Sequence, residues 1–448
     1  MQKKADVLVI GGGPAGVVSA VTAKQFYPDK NILLMKSIEH GCIPCGIPYM
    51  LSSLKNPDEN KMGNAPLEKN NIEVVSEEAT KINREKKEVT TAYGNTYGYE
   101  KLILATGSSP IIPNLPGVNK KGVYPIYKIM GYLKDFVKEI KESKSVLVIG
   151  GGFIGVEFAD EISKLTGIKV YLVELLPEIL INSFDSEFSE FATEKLKSKG
   201  VELITGTKVE EILGNEKVES VLLSDGRKIE VDSVILGIGA IPDTKLAIDV
   251  NLDLDFGKGI WTDEYMRTVD PDIFAVGDCA GKRDFFTRKY APVMLASTAT
   301  AEARVAGANL YELKVIKENK GTIAIYSTYI DGLVLGSAGL TESHAKREGF
   351  DVIIGEAQGI DKHPGSLPGA SNIKVKLIFS RRAGIILGGQ VAGGAANSEL
   401  INMIGVAIQK RMSATELETL QVATHPYLTS APTMYPIIVA AQAVSRKM

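Results

Sequence analysis

The sequence predicts an α/β protein made of two Rossmann-like dinucleotide-binding units and a smaller C-terminal module that mixes strands with helices. Two apolar runs of strand length, residues 6–10 and 145–149, each lead into a glycine loop and then a helix-forming stretch. The loops read Gly11-Gly12-Gly13-Pro14-Ala15-Gly16 and Gly150-Gly151-Gly152-Phe153-Ile154-Gly155. In G-x-G-x-x-G the first glycine permits a tight turn, the second lets backbone approach a pyrophosphate, and the third lets helix and strand pack closely. From about Gly321 the pattern changes to Gly-bounded strands, starting at Thr322-Ile323-Ala324-Ile325-Tyr326, with a helix expected over 398–411.

The chain of 448 residues is too long for one ordinary core, and its 44% hydrophobic and 23% charged residues are those of a globular protein. A formal net charge of −3 gives no electrostatic case for nucleic acid or an anionic membrane as partner. No stretch approaches the roughly 20 apolar residues that span a bilayer. The first six residues run directly into a strand without a signal-peptide pattern, so a cytoplasmic protein is expected. Three cysteines in a chain of this length do not make a disulfide scaffold.

Two of those cysteines stand in His40-Gly41-Cys42-Ile43-Pro44-Cys45-Gly46-Ile47-Pro48-Tyr49, shortly after the first glycine loop. Thiol redox chemistry beside a nucleotide is the leading reading. Cys45 would open a helix over 47–54, with Pro48 in its first turn, where backbone N–H groups lower a thiol pKa. Cys42 would lie on the approach loop. Half a zinc site and a pair of inert buried thiols are the alternatives, but no second Cys/His pair follows at finger-like spacing, so no metal is expected.

The acid that usually ends the second strand of such a unit, and bonds a ribose, is replaced here by Met35 and Lys36. Glu39 is too far along to take over that task. Lys101-Leu102-Ile103-Leu104 ends in Ala105-Thr106-Gly107, where small residues let backbone pass close to a nucleotide. Pro110, Pro113 and Pro116-Gly117 then mark a crossing between units. In the second unit the acid is present: Val170-Tyr171-Leu172-Val173 ends in Glu174, nineteen residues past Gly155. A carboxylate there accepts from a ribose 2′-hydroxyl and repels a 2′-phosphate, so NADH is expected over NADPH; a solvated strand-end glutamate is the bland alternative. The strand 233–236 runs into Gly237 and Gly239, and Ile273-Phe274-Ala275-Val276 delivers Gly277 and Asp278. Asp278 is placed to bond a polyol hydroxyl or to serve as a turn or capping residue. Cys279 reads as packing.

Late in the chain, Ser413 and Glu416 form a capping-box pattern. His363 and His425, each followed by proline, titrate near neutral pH and are candidate proton donors, with a structural role equally open. His40 and His344 read as surface residues.

Taken in order, the two glycine loops, Ala105-Thr106-Gly107 and Phe274-Ala275-Val276-Gly277-Asp278 resemble the flavoprotein disulfide reductases with two dinucleotide domains, over nearly the whole chain. Cys45-Gly46-Ile47-Pro48-Tyr49 resembles their single-active-cysteine branch: NADH oxidases, NADH peroxidases and coenzyme A disulfide or persulfide reductases. The resemblance implies an FAD domain in two parts, 1–112 and 247–320, an NADH domain over 113–246, and a C-terminal α+β dimerisation domain over 321–448 of a homodimer. It implies FAD binding by Gly11, Gly13, Pro14, Ala15, Gly16, Lys36, Ala105, Thr106, Gly107, Gly277 and Asp278. NADH would meet Gly150, Gly152, Phe153, Ile154, Gly155, Glu157, Glu174 and Gly239, with Glu157 near the nicotinamide and Cys45 near the flavin.

Departures from the branch narrow the choice. Its peroxidases carry a histidine inside the first glycine loop, where this chain has Gly12 to Ala15, which argues against peroxide as acceptor. Its coenzyme A disulfide reductases carry paired arginines late on the first helix, where this chain reads Lys24-Gln25-Phe26, which argues against a coenzyme A substrate. Cys42 is a second thiol, so Cys45 could rest as a disulfide, a persulfide, a mixed disulfide or a sulfenic acid. Glutathione-reductase-like relatives follow their His-Pro segment with a glutamate five residues on, where this chain has Ser430; His363-Pro364-Gly365 resembles a Tyr-Pro-Gly segment of the branch. The expected activity is electron transfer from NADH through flavin and Cys45 to a disulfide, a polysulfide or oxygen. The rivals are an electron-transfer subunit serving ferredoxin, rubredoxin or thioredoxin, and a non-catalytic interaction protein, should Met35 cost the chain its FAD.

Overall fold

The computed structural model describes residues 2–314 and 316–448; Met1 and Val315 lie outside the described residues. The first unit is a five-stranded parallel sheet ordered Ile273–Ala275, Lys101–Leu104, Val7–Ile10, Ile32–Met35 and Glu73–Val75. Val7–Ile10 and Ile32–Met35 are buried at every position, which is why they read as unbroken apolar runs. Helices Pro14–Phe26 and Ala296–Ala308 cross closely enough that a Cβ on Gly307 would stand 2.8 Å from Thr22 Cβ.

The second unit repeats the plan with strands Val123–Pro125, Ser233–Leu236, Ser145–Ile149, Lys169–Val173 and Glu202–Ile204, again all parallel. In both sheets the strand that feeds the glycine loop lies between its sequence neighbour and a later strand. This switch point opens a crevice at the carboxyl ends, where such sheets bind ligands. The two crossings between the units run side by side as an antiparallel pair, Ser108–Pro110 with Ala240–Pro242.

The C-terminal module is a five-stranded antiparallel sheet ordered Ile325–Ile330, Leu333–Gly339, Ile386–Gly393, Asn372–Ser380 and Val352–Ile360. Helices Leu400–Gln409 and Pro436–Ser445 supply apolar faces to its core, including Ile401, Ile404, Ile437 and Val444. The capping box of Ser413 and Glu416 forms. A buried polar group ties this module to the second unit. Asp185 accepts from the Glu342 and Ser343 N–H groups at 3.0 Å each and from Gln390 Nε2 at 2.6 Å, and meets Lys376 Nζ at 3.1 Å.

Two sequence expectations are corrected here. The helix over 47–54 does not form: Pro44–Gly46 and Pro48–Met50 are separate 3-10 turns. The backbone closes in three-residue steps instead: Ile47 N–H donates to Pro44 O, Met50 N–H to Ile47 O and Leu51 N–H to Pro48 O, at 3.2 Å each, and Leu54 N–H then reaches Tyr49 O at 2.8 Å. The helix over 398–411 is shorter, Leu400–Gln409, and follows a 3-10 turn at Ala395–Asn397.

Candidate active site

Helix Pro14–Phe26 starts at Gly13 with no side-chain cap, and a Cβ on Gly13 would meet nothing within 4 Å. Its first N–H groups therefore face open space at the carboxyl edge of the sheet, a ready anion site. Around that opening the backbone is tight. A Cβ on Gly11 (φ +122°) would lie 2.0 Å from the Ala105 carbonyl oxygen, and one on Gly16 would lie 1.9 Å from the Gly11 oxygen. Lys36 lays its stem on Gly12 and sends Nζ to Glu39 O at 2.7 Å and Asn64 Oδ1 at 2.9 Å. This lysine follows Met35, which ends the strand where the ribose acid was expected. Asp278 lies in the 3-10 turn Gly277–Cys279; Ser108 Oγ donates to its Oδ2 at 2.7 Å, and Lys128 Nζ stands 3.3 Å from the same oxygen.

Cys42, Cys45 and Cys279 are all unbridged; Cys45 is exposed and the other two are buried. Cys42 pairs with Lys61 in a two-residue strand. The Cys45 turn is gripped by Asn60: Asn60 Nδ2 donates to Ile43 O at 3.1 Å, Asn60 O accepts from Ile43 N–H at 3.0 Å, and a Cβ on Gly46 would strike Asn60 Oδ1. The environment pushes the Cys45 thiol up rather than down. Although the residue keeps access to solvent, desolvation by the protein packed around its sulfur is the first cause, with the carboxylates of Glu157 and Asp278 adding to it and Lys128 opposing them. The sequence expectation of a lowered pKa fails because no α-helix starts at Cys45 and two acids face it.

The second loop repeats the first. Gly152 begins helix Phe153–Ser163 without a side-chain cap, a Cβ there would meet nothing within 4 Å, and one on Gly155 would lie 1.8 Å from Gly150 O. Glu174 ends its strand with Oε2 accepting from Gly151 N–H and Oε1 accepting from Leu176 N–H at 2.7 Å. Phe153 stacks on Tyr326 of the C-terminal sheet with ring centroids 4.9 Å apart, which brings that sheet over the start of the helix. Glu157, one turn on, accepts from Thr328 Oγ1 at 2.9 Å; burial pushes its carboxyl up to about 7, with Asp160 and Glu161 contributing and Thr328 opposing. Glu161 accepts from Ser52 Oγ and from the Ser53 N–H and Oγ at 2.5 to 2.9 Å, so this helix anchors the segment that follows Cys45. Gly239 stands at the crossing beside Ile111, and Ile154 is exposed.

The two candidate histidines lie together, apart from the groups that act on Cys45. His363 Nδ1 is 2.9 Å from Thr429 O and its N–H donates to Pro426 O at 3.1 Å, while His425 Nδ1 accepts from Tyr427 N–H at 3.2 Å. Among the described residues no cluster of three or more His, Cys, Asp or Glu is arranged to hold a metal ion.

The profile of the pyridine nucleotide-disulphide oxidoreductases matches residues 5–303, and that of their dimerisation domain matches 325–435. The chain belongs to this family. It is similar to an NADH oxidase of Methanocaldococcus jannaschii, 31% identical over 92% of this chain and 93% of that protein. It is also similar to an NAD(P)H coenzyme A polysulfide/persulfide reductase of Pyrococcus horikoshii, 31% identical over 88% of each chain. Among solved structures, an NAD-dependent persulfide reductase from A. fulgidus superposes with a TM-score of 0.90 at 27% identity, covering 100% of this chain and 83% of that one.

As a member of the pyridine nucleotide-disulphide oxidoreductases the chain is an FAD- and NADH-dependent oxidoreductase. Its residues fit those cofactors: two uncapped helix N-termini open onto space, and each follows backbone packed too closely for any side chain. Sequence reasoning missed Asn60, Ser108, Lys128 and Thr328. Ser108 directly follows the Ala105-Thr106-Gly107 run and gains its role only from Asp278, while Asn60, Lys128 and Thr328 are lone polar residues whose partners the fold brings to them.

Proposed function

We propose that the chain is a homodimeric, NADH-dependent flavoenzyme that reduces the sulfur–sulfur bond of a small polysulfide, persulfide or disulfide through Cys45. The observation that carries this reading is one exposed thiol, Cys45, whose charged surroundings come from both glycine-loop units: Asp278 from the first, and Glu157 and Lys128 from the second. FAD is assigned to 1–112 and 247–320, NADH to 113–246, and dimerisation to 321–448. Gly11, Gly13, Gly16 and Asp278 would hold FAD, and Gly150, Gly152, Gly155 and Glu174 would hold NADH. Exposed Tyr427, Leu428 and Met434 support a subunit contact at the C-terminal module, and the His363 and His425 lobe of a second copy is the candidate proton donor for the acceptor.

Bound flavin supplies the two-electron exchange between nicotinamide and sulfur. The chain's part is to place and protonate the thiol. Deprotonated Cys45 Sγ attacks one sulfur of the acceptor; a new S–S bond forms, the acceptor's own S–S bond breaks, and the departing sulfur leaves as a thiolate that takes up a proton. Glu157, with its carboxyl near 7, is suited to accept the Cys45 proton and return one at neutral pH. Helix Phe153–Ser163 holds Glu157 and, through Glu161 and Ser53, the segment after Cys45 in one frame.

The test is anaerobic NADH oxidation with inorganic polysulfide, following sulfide release, in wild type and Cys45→Ser. Loss of about a hundredfold or more in the variant, with FAD retained, supports the reading; an unchanged rate contradicts it. A second reading, oxygen as acceptor, is favoured by the name of the M. jannaschii relative and is read from oxygen uptake in the same preparation. A protein acceptor such as ferredoxin is not favoured: a ferredoxin reductase is among the similar structures at 26% identity and a TM-score of 0.76, below the persulfide reductase at 0.90.

A further inference from the structure

The turn that carries Asp278 is clamped by a buried ion pair to which neither a motif nor the proposed mechanism assigns a task. Lys282 Nζ lies 3.0 Å from Glu302 Oε2, and the two side chains are 5% and 2% exposed. Between them they bond both ends of the Gly277 residue: Glu302 Oε2 accepts from Gly277 N–H at 2.8 Å, and Lys282 Nζ donates to Gly277 O at 2.6 Å. Lys282 also donates to Ala280 O at 2.9 Å, so it closes the far side of the turn. Gly277 is in the left-handed region at φ +74°, and a Cβ there would stand 2.8 Å from Ala15 Cβ in the first turn of helix Pro14–Phe26. The clamp thus presses the turn against the first glycine loop, with Asp278 as its next residue.

Stability alone does not explain the pair. Burying two charges costs desolvation that their attraction barely offsets, and apolar residues of similar volume usually serve a core as well or better. Glu302 also keeps Oε1 buried without a hydrogen-bond partner. What the pair supplies, and apolar packing cannot, is a fixed orientation of the Gly277 peptide and so of the Asp278 carboxylate beside Ser108 and Lys128.

The geometry points to Lys282 and Glu302 as positioning residues for the flavin: clamping Gly277 from both ends, they fix Asp278 for its bond to the cofactor's polyol chain. This rests on the proposal that Asp278 binds FAD. Neither residue touches the reacting atoms.

The experiment titrates deflavinated protein with FAD, by flavin fluorescence, for wild type, Lys282→Met, Glu302→Gln, the Lys282→Met/Glu302→Gln double variant and Asp278→Ala. Flavin reduction potential and thermal unfolding of the apoproteins are measured in parallel. Glu302→Gln keeps an acceptor for Gly277 N–H and should bind FAD within about threefold of wild type. Lys282→Met should bind about tenfold or more weakly, as for a lost charge-assisted hydrogen bond. The double variant leaves no buried charge unpaired, so it regains thermal stability. It should nevertheless stay about tenfold weak for FAD and show a shifted potential, because the donor to Gly277 O is gone. A double variant with wild-type affinity and potential overturns the inference, and it remains measurable should Lys282→Met fail to fold. Unchanged FAD binding in Asp278→Ala, or none in wild type, overturns instead the reading on which the inference rests.

Discussion

Thr328 Oγ1 donates to Glu157 Oε1 at 2.9 Å, and through this bond the first strand of the C-terminal sheet reaches the helix that begins at the second glycine loop. Three parts of the chain far apart in sequence therefore meet at one carboxyl: the helix, the sheet that covers it, and the Cys45 turn on which Glu157 acts.

Glu157 should make the apoprotein less stable as pH rises through neutrality. Its carboxyl lies near 4.5 when unfolded and near 7 when folded, so between those values the native state holds a proton that the unfolded chain has lost. The resulting stabilisation is complete below pH 4.5 and gone above about 7, at most about 3 kcal/mol. Urea midpoints at pH 5 and pH 7.5 should separate less in Glu157→Gln than in wild type. Removing the Thr328 hydroxyl by Thr328→Val should move the Glu157 titration further up, since that bond favours the charged form.

Cys45 should be the one thiol of the native, reduced apoprotein that iodoacetamide modifies quickly, because Cys42 and Cys279 are buried. The pH at which its alkylation reaches half-rate should lie above the usual cysteine range, and Glu157→Gln should bring it down by removing a facing carboxylate. Mass spectrometry of labelled peptides against pH measures both.

Glu174 sets the nicotinamide preference in this account. Its carboxylate is already held at the loop by Gly151 and Leu176 N–H groups, oriented where a ribose 2′-hydroxyl would meet it. Steady-state kinetics should show wild type favouring NADH. Glu174→Ser should lose about tenfold in kcat/KM for NADH and narrow the gap to NADPH.

Lys376→Met should be strongly destabilising. Lys376 is 4% exposed and meets Asp185 at 3.1 Å, Glu342 at 2.7 Å and Glu187 at 2.5 Å, and its loss leaves Asp185 charged and buried between the second unit and the C-terminal sheet. Breaking one side of such a group costs about 3 kcal/mol or more, measurable by urea unfolding.

The two parallel sheets were legible because glycine loops impose local rules: Gly16 and Gly155 are fixed by backbone contacts that any side chain would break, and these leave a mark in six residues. Strand burial was legible for the same reason, since Val7–Ile10 and Ile32–Met35 are apolar throughout. The cysteine turn was not legible because Pro48 suits the first turn of an α-helix and of a 3-10 turn equally well, and the three-residue bonds of Ile47, Met50 and Leu51 N–H groups decide between them. Lys128, Asn60 and the Lys282–Glu302 pair were invisible because each gains its meaning only from a partner brought in by the fold.

The central claim is that Cys45 takes a sulfur from the acceptor and that electrons from NADH then cleave the S–S bond so formed. An anaerobic NADH titration of the FAD-loaded protein, first treated with inorganic polysulfide and freed of the excess, and followed by flavin absorbance in wild type and Cys45→Ser, tests it most directly. The account predicts that wild type consumes two equivalents of NADH per FAD and Cys45→Ser one. One equivalent in both would contradict it, since no redox-active sulfur would then hold the second electron pair.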